Sequence, residues 1–292
     1  MKAIILAGGA GSRLYPLTLV ASKQLQAVHD KPMIYYPLTV LMAGGIREYC
    51  LISTPHDLPR YRQLLGDGSQ WGIRIEYREQ AKPEGIAQAL LIAESFIAGE
   101  PVALMLGDNI FFGSDAIPRA LENFAGGATI FAYHVHDPER YGVVGFDADG
   151  RATSIEEKPS QPKSSYAVPG IYLYDAEAVA IARTLKPSPR GELEITDVNR
   201  AYLAKGTLRV ERLNRGFAWL DAGTSTALQE ASSYVAVVEK RQGLKIGCPE
   251  EAALLRGFLS PQQFQALLQT MPNCEYREYL LSVAAEQERL RA

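Results

Sequence analysis

The sequence is poor in cysteine. Its 292 residues include three, Cys50, Cys248 and Cys274, widely spaced and with no C-x-x-C pair. That pattern argues against a disulfide framework or a cysteine-built zinc site, and it fits a reducing, cytoplasmic setting. An excess of one charge is missing too. Thirty lysines and arginines face thirty-three acids, a formal net charge of −3, and the basic residues are scattered. Such a balance does not suit nonspecific nucleic-acid binding. Apolar residues form 47% of the chain, ample for a core, yet no run of them nears the ~20 residues of a membrane-spanning helix. The first residues have neither a basic region nor a cleavage motif, so neither a signal peptide nor a membrane span is expected. No serine or cysteine stands in a nucleophile context, and no Gly-x-Ser-x-Gly occurs.

What is present is concentrated at the start. Lys2-Ala-Ile-Ile-Leu-Ala7 reads as a short buried strand, followed at once by Gly8-Gly9-Ala10-Gly11-Ser12-Arg13. Glycines after a strand let peptide N–H groups approach phosphate oxygens, and Arg13 adds a planar, permanent cation. Lys23 follows in Ser22-Lys23-Gln24. The loop is no Walker A motif, since no Gly-Lys-Ser/Thr closes it. It is also a poor dinucleotide fingerprint, because Leu14 occupies the place of the third glycine. A dinucleotide oxidoreductase is thereby disfavoured.

The first half of the chain alternates. Strands are expected at Ile4–Leu6, Tyr49–Ser53, Ile73–Tyr77 and Val102–Leu106, and helices at Met33–Met42 (starting near Pro32), Leu58–Leu65 and Ile86–Phe96. Such alternation indicates right-handed β-α-β units and a mainly parallel sheet, with ligands gathered at the carboxyl ends of the strands. The second half is more mixed. Thr129–His136, Tyr141–Phe146, Ala152–Glu156, Ala167–Tyr174 and Leu208–Leu213 read as strands, with Asp147–Gly150 as a hairpin turn. Ala176–Leu185 and Thr196–Ala204 read as helices. After Thr224 the pattern is helical, at Ala227–Glu239, Glu250–Arg256, Pro261–Leu268 and Tyr276–Leu290. The expectation is a catalytic domain over residues 1–240 and a helical C-terminal subdomain over 241–292, serving regulatory or oligomer contacts.

Several constellations could carry chemistry. Asp108, in Gly107-Asp108-Asn109, follows a buried strand, where a carboxylate can hold a hard cation; an Asx turn is the plainer alternative. Asp221, in Trp219-Leu220-Asp221, is a candidate second ligand, with Thr224 as a helix cap behind it. Glu157 and Lys158 would lie on opposite strand faces unless the chain bends before Pro159. Arg190 stands among the acids of Pro189–Asp197, which otherwise read as a helix start. Gln80 offers both donor and acceptor, as a pyrimidine edge requires. His134 and His136 lack a third ligand and read as structural or surface residues.

The order of these pieces resembles the sugar-nucleotidyltransferases. Leu6–Leu14, Ser22–Leu25, Lys31–Pro37, Leu106–Phe111, Glu156–Pro159, Arg190–Asp197 and Trp219–Asp221 carry the likeness, which runs from Lys2 to about Phe258. Leu65–Gly72 and Asp137–Val144 favour the branch that joins thymidylate to glucose 1-phosphate. The resemblance implies a Rossmann-like three-layer α/β sandwich. It implies that Gly8, Gly11, Ser12, Arg13 and Lys23 hold the nucleotide phosphates, and that Gln24, Gln80 and Gly85 contact the nucleoside. Asp108 and Asp221 would bind Mg²⁺. Tyr141, Gly142, Glu157 and Val168 would line a glucose pocket, and Lys158 and Arg190 would grip the sugar phosphate. The substrates implied are dTTP and glucose 1-phosphate, the setting deoxysugar (dTDP-L-rhamnose) synthesis, and the assembly a homotetramer.

Some positions depart from the family pattern. Leu25-Gln26-Ala27 replaces Leu-Leu-Pro, Phe111-Phe112-Gly113-Ser114 replaces Phe-Tyr-Gly-His, and Leu255 takes an arginine's place with Arg256 next to it. The resemblance places Phe112, Gly113, Arg215, Glu251 and Arg256 at a second, regulatory nucleotide site, here expected to be weakened. A uridylyltransferase of the same fold and an inactive nucleotide-sensing relative stand as alternatives.

Overall fold

The computed structural model describes residues 1–9 and 11–291; the side chains of 10, 291 and 292 are outside the description. In chain order the strands are β1 (Lys2–Leu6), β2 (Ala27–Val28), β3 (Lys31–Pro32), β4 (Glu48–Ser53), β5 (Arg74–Glu79), β6 (Val102–Leu106), β7 (Asn109–Phe112), β8 (Ala128–His134), β9 (Gly142–Phe146), β10 (Ala152–Glu157), β11 (Tyr166–Ala167), β12 (Ile171–Tyr174), β13 (Leu208–Arg212) and β14 (Ala218–Asp221). The helices are α1 (Tyr35–Ala43), α2 (Leu58–Leu65), α3 (Gln88–Ile92), α4 (Glu94–Ile97), α5 (Ala116–Glu122), α6 (Glu177–Thr184), α7 (Ile195–Ala204), α8 (Ser225–Gln242), α9 (Pro249–Leu255), α10 (Pro261–Thr270) and α11 (Glu275–Arg291).

Ten strands form one sheet, ordered β10-β9-β11-β8-β12-β6-β1-β4-β5, with β13 also paired to β8. The run β6-β1-β4-β5 is parallel. From β12 onward the neighbours turn antiparallel, except β13 on β8, in keeping with the mixed second half of the sequence. The inner parallel strands β1, β4 and β6 read as apolar runs because both faces are covered, whereas the edge strand β5 alternates. Alternate residues go to different cores. Ala3, Ile5, Tyr49, Leu51, Ala103 and Met105 face one side, with α1, α2 and the helices of the C-terminal segment. Ile4, Leu6, Cys50, Ile52, Val102 and Leu104 face the other, with α3, α4, α6 and α7. The three-layer sandwich follows from this period of two.

The helices after α8 share the first core, through Ala253, Leu254, Phe264, Leu268, Leu280 and Val283. Residue 240 lies inside α8, which ends at Gln242 and is closed by Gly243 in the left-handed conformation, φ 70°. Among the described residues no helix is long and apolar enough to cross a membrane.

Several boundaries differ from the sequence expectation. The first helix starts at Tyr35 rather than near Pro32. Pro32 pairs with Ala27 in β3, and Met33 and Ile34 donate their amides to Gln26 and Gln24, so the chain is held by the hairpin until there. The helix expected over Ile86–Phe96 is two short pieces meeting at Ala93. The strand expected over Ala167–Tyr174 breaks at Val168-Pro169-Gly170, since Pro169 has no donor for a ladder. Gly170 is needed there: a Cβ would stand 2.6 Å from Leu106 Cδ1. Strand β7 and helix α5 were not foreseen, and Trp219–Asp221 is part of a strand.

Candidate active site

The site is assembled at the carboxyl ends of β1 and β6. Leu6 and Leu106 are partners in register, so the glycine loop after one and Asp108 after the other leave the sheet side by side. In the loop, Gly8 has a steric reason. A Cβ there would come 2.6 Å from Oε1 of Gln80, a buried side chain whose amide nitrogen donates to Gln88. Gly11 is left-handed, φ 56°, ahead of the single turn Ser12–Leu14 that presents Arg13. Ser12 is exposed beside it, and Ala10 lies outside the described residues.

Lys23 is brought in by its own short turn, Lys23–Leu25. Ser22 anchors it, its amide donating to Asp57 and its hydroxyl bonded to Tyr61 at 2.7 Å. Lys23 Nζ then reaches Asp108 Oδ2 at 2.6 Å and Asp221 Oδ1 at 3.8 Å. Gln24 donates to the Gly8 carbonyl at 3.4 Å. Gln80 and Gln24, both buried, therefore stand behind the loop at Gly8. Gly85 is close to the Leu193 backbone and leaves no room for a side chain. It lets Glu84 and Ala87 bond to Leu193.

The two aspartates meet because β7 and β14 pair, with Asp221 opposite Asn109. Asn109 is buried and fully used. Its amide donates to Asp108 Oδ1 at 2.9 Å, and its oxygen accepts from the Gly170 amide and the Trp219 indole. Burial, and then the charge of Asp108, push the Asp221 carboxyl above its ordinary range despite Lys23, Arg13 and Arg140. Two crowded carboxylates with this bias form a donor set for a hard divalent cation.

A cleft of about 650 Å³ opens from this pair, and Arg13, Asp108, Tyr141, Gly142, Glu157, Lys158, Val168, Arg190 and Asp221 all line it. The bend that the sequence required before Pro159 occurs at Lys158 itself, with φ 44°. The Lys158 amide donates to the Tyr141 carbonyl, and that of Val168 to Gly142. Glu157 accepts from Thr196 at 2.5 Å, and Arg190 is held by Glu194 at 2.8 Å with Glu157 and Glu192 nearby. Acids thus hold Arg190 at the cleft wall, combining its two sequence readings. Sequence reasoning missed Arg140, Thr196 and Trp219 as lining residues. Thr196 lies in the first turn of α7 and carried no signal of its own. Trp219 was quoted only as a neighbour of Asp221.

Two of the five residues assigned to a second site share a cavity. Phe112 and Gly113 border a separate space of about 610 Å³ beside α1. Arg215 is exposed; Glu251 accepts from Tyr279 at 2.7 Å, and Arg256 pairs with Glu122 at 2.6 Å. His134 packs edge-on against Tyr166. Among the described residues the three-residue group with metal-ligand spacing is His29, Asp30 and Glu239, but Lys31 and Lys245 already occupy its carboxylates.

Residues 2–237 match the family profile of nucleotidyl transferases. A glucose-1-phosphate thymidylyltransferase of Xanthomonas campestris pv. campestris is 52% identical over 97% of both chains. One from Actinoplanes sp. is 54% identical over 98% of this chain and 95% of its own. A crystallised Bacillus anthracis protein assigned to the same activity superposes with a TM-score of 0.75 at 44% identity, over 80% of this chain and 94% of that one. A UDP-glucose pyrophosphorylase bound to UDP-glucose, 22% identical with a TM-score of 0.71, covers 82% of this chain and 99% of its own and shares the fold.

Proposed function

This chain belongs to the nucleotidyl transferase family, and within it to the glucose-1-phosphate thymidylyltransferases; on that footing we propose that it transfers a thymidylyl group from dTTP to glucose 1-phosphate, giving dTDP-glucose and pyrophosphate. The observation that carries the reading is the meeting of Asp108 and Asp221 around Lys23, at the mouth of a cleft walled by Arg13, Lys158 and Arg190. A phosphate oxygen of glucose 1-phosphate attacks the α-phosphorus in line. That oxygen is already anionic at neutral pH, so no general base is needed, and the absence of a Ser/His/Asp constellation is in keeping with the reaction. Both reactants are polyanions, and the work of the site is to cancel their repulsion with fixed positive charge.

Arg13 with Gly8, Gly11 and Ser12 holds the nucleotide phosphates, with Lys23 on the same anion. Gln80 reads the thymine edge, and Gln24 and Gly85 contact the nucleoside with it; the placement of Gln80 and Gln24 beside Gly8 supports this. Lys158 and Arg190 grip the sugar phosphate, while Glu157, Tyr141, Gly142 and Val168 contact the sugar. The donor set fits magnesium: two carboxylates beside phosphate oxygens, one of them penalised for ionising alone. Bound by Asp108 and Asp221, magnesium would supply charge neutralisation and phosphate orientation. A homotetramer, a place in deoxysugar synthesis and a weakened second nucleotide site belong to the same proposal, the last supported by Ser114 and Leu255.

Pyrophosphate release, measured for dTTP and UTP with glucose 1-phosphate, tests the reading. Fastest release with dTTP is expected. Faster release with UTP would make the protein a uridylyltransferase, and none with any pairing would make it a nucleotide sensor.

A further inference from the structure

The cleft has a second chamber that the roles above leave unused. It encloses about 680 Å³ and shares Arg13, Arg140, Tyr141, Trp219 and Asp221 with the first, so the two chambers meet beside Asp221. Arg140 stands at that junction. It ends the single turn Pro138–Arg140, and its Nη1 donates to Asp137 Oδ2 at 2.6 Å. Its guanidinium carbon lies 5.3 Å from the centre of the Tyr141 ring. Its Nη2 is 3.8 Å from Asp221 Oδ2, too long for a direct hydrogen bond. The side chain is 45% exposed. One edge of the fork is therefore fixed, and the other faces the cleft without a short partner.

We propose that Arg140 is a catalytic residue that binds the departing pyrophosphate, and that the second chamber, between Arg13 and Arg140, is where this anion sits before it leaves. The inference rests on the thymidylyl-transfer reading above. In that reaction a bond forms between the sugar-phosphate oxygen and the α-phosphorus. The bond from that phosphorus to the oxygen bridging the β-phosphorus breaks, and its electron pair stays on that oxygen. No proton moves, so the new charge must be met by fixed cations.

In-line displacement places nucleophile and leaving group on opposite sides of the phosphorus. With the sugar phosphate in the first chamber, at Lys158 and Arg190, the leaving group points away from it, past Asp221. The second chamber shares Asp221 with the first but not Lys158 or Arg190, and Arg13 and Arg140 line both chambers. A planar guanidinium with one free edge matches two phosphate oxygens, and Asp137 and Tyr141 hold it in place beforehand.

The test compares wild type with Arg140→Gln, Arg140→Lys and Asp137→Asn. It measures KM for pyrophosphate in the reverse reaction, KM for glucose 1-phosphate in the forward one, direct binding of pyrophosphate, and thermal melting. Arg140→Gln is expected to raise the pyrophosphate KM by ~10-fold or more, the scale of a lost charge-assisted pair, with the glucose 1-phosphate KM changed less than about twofold. Arg140→Lys should recover only part of the loss, because it lacks the fork, and Asp137→Asn should shift the same constant by less. Unchanged pyrophosphate KM and binding in Arg140→Gln, or a larger rise for glucose 1-phosphate, overturns the inference. Should that variant not fold, wild-type pyrophosphate constants in both Arg140→Lys and Asp137→Asn overturn it instead. Wild-type protein that releases no pyrophosphate defeats the reaction itself, whereas active wild type matched by Arg140→Gln defeats only this assignment.

Discussion

Two clusters of lysine and carboxylate stand in this protein, built from the same groups and used in opposite ways. In one, Lys31 and Lys245 meet Asp30 and Glu239 between the β2–β3 hairpin and the end of α8. Charges balance there, and Lys31 is 2% exposed. Burial works against the Asp30 charge, but Lys245 and Lys31 outweigh it and hold that carboxyl below its ordinary range. In the other, two aspartates at the mouth of a cleft share Lys23, with Arg140 3.8 Å from Asp221. Burial and Asp108 raise the Asp221 carboxyl. The first cluster is complete without a ligand and ties segments together. The second keeps an unmet demand for positive charge, which is what a cation and phosphate site requires.

Four experiments break or sharpen this contrast. Lys31→Met should have the largest effect, since it takes from the buried Glu239 a lysine at 2.9 Å and leaves Lys245 alone to serve both carboxylates. A stability loss of ~3–5 kcal/mol is expected in urea unfolding, with kcat of the folded fraction retained. A loss in kcat with stability intact would show that the hairpin cluster serves the reaction. Asp221→Asn should lower kcat by about a hundredfold or more, about 2.7 kcal/mol in the barrier, with the fold kept. Normal turnover would remove the metal role assigned to this residue.

The same variant should melt a few degrees higher than wild type in metal-free buffer at neutral pH. A carboxyl raised in the fold stabilises it most when protonated, and that contribution is lost as pH rises through the folded value. Ionised Asp221 thus costs stability at neutral pH, and an amide removes the cost. A lower melting point would mean that Lys23 gains more from Asp221 than burial takes away. The smallest effect concerns Asp30. Its lowered carboxyl contributes stability above its unfolded value of roughly 3.9, lost as pH falls through the lower folded one. Asp30→Asn should therefore cost stability at neutral pH, with the gap to wild type closing as pH falls through the lowered folded value. A gap independent of pH would count against the ion pairs.

Much of the fold was legible because its signals are local. Val102–Leu106 and Leu58–Leu65 were placed to the residue, one by an unbroken apolar run and the other by helical spacing. The cap at Thr224 was also readable, and its side chain accepts from the Ala227 amide. Failures came where a partner outside the segment decides. Pro32 starts no helix because Ala27 claims it for a hairpin. Asn109–Phe112 is a strand only because Ala218–Asp221, about a hundred residues on, lies against it. Arg140 passed unnoticed because a single arginine beside a tyrosine carries no periodicity, and its meaning comes from Asp137 and Asp221.

The amino-acid order alone determined the layered α/β architecture, since a period of two sorts side chains to the two faces of a sheet and glycines mark where its edge turns. It also marked the main charged groups of the cleft, Arg140 excepted. Only the tertiary structure decided which of those groups stand together. Pairing of β7 with β14 carries Asp221 to Asp108, and the chain takes a left-handed turn at Lys158, which lines the cleft. Electrostatic energy depends on separation in space, and residues about a hundred positions apart acquire one only when the chain folds.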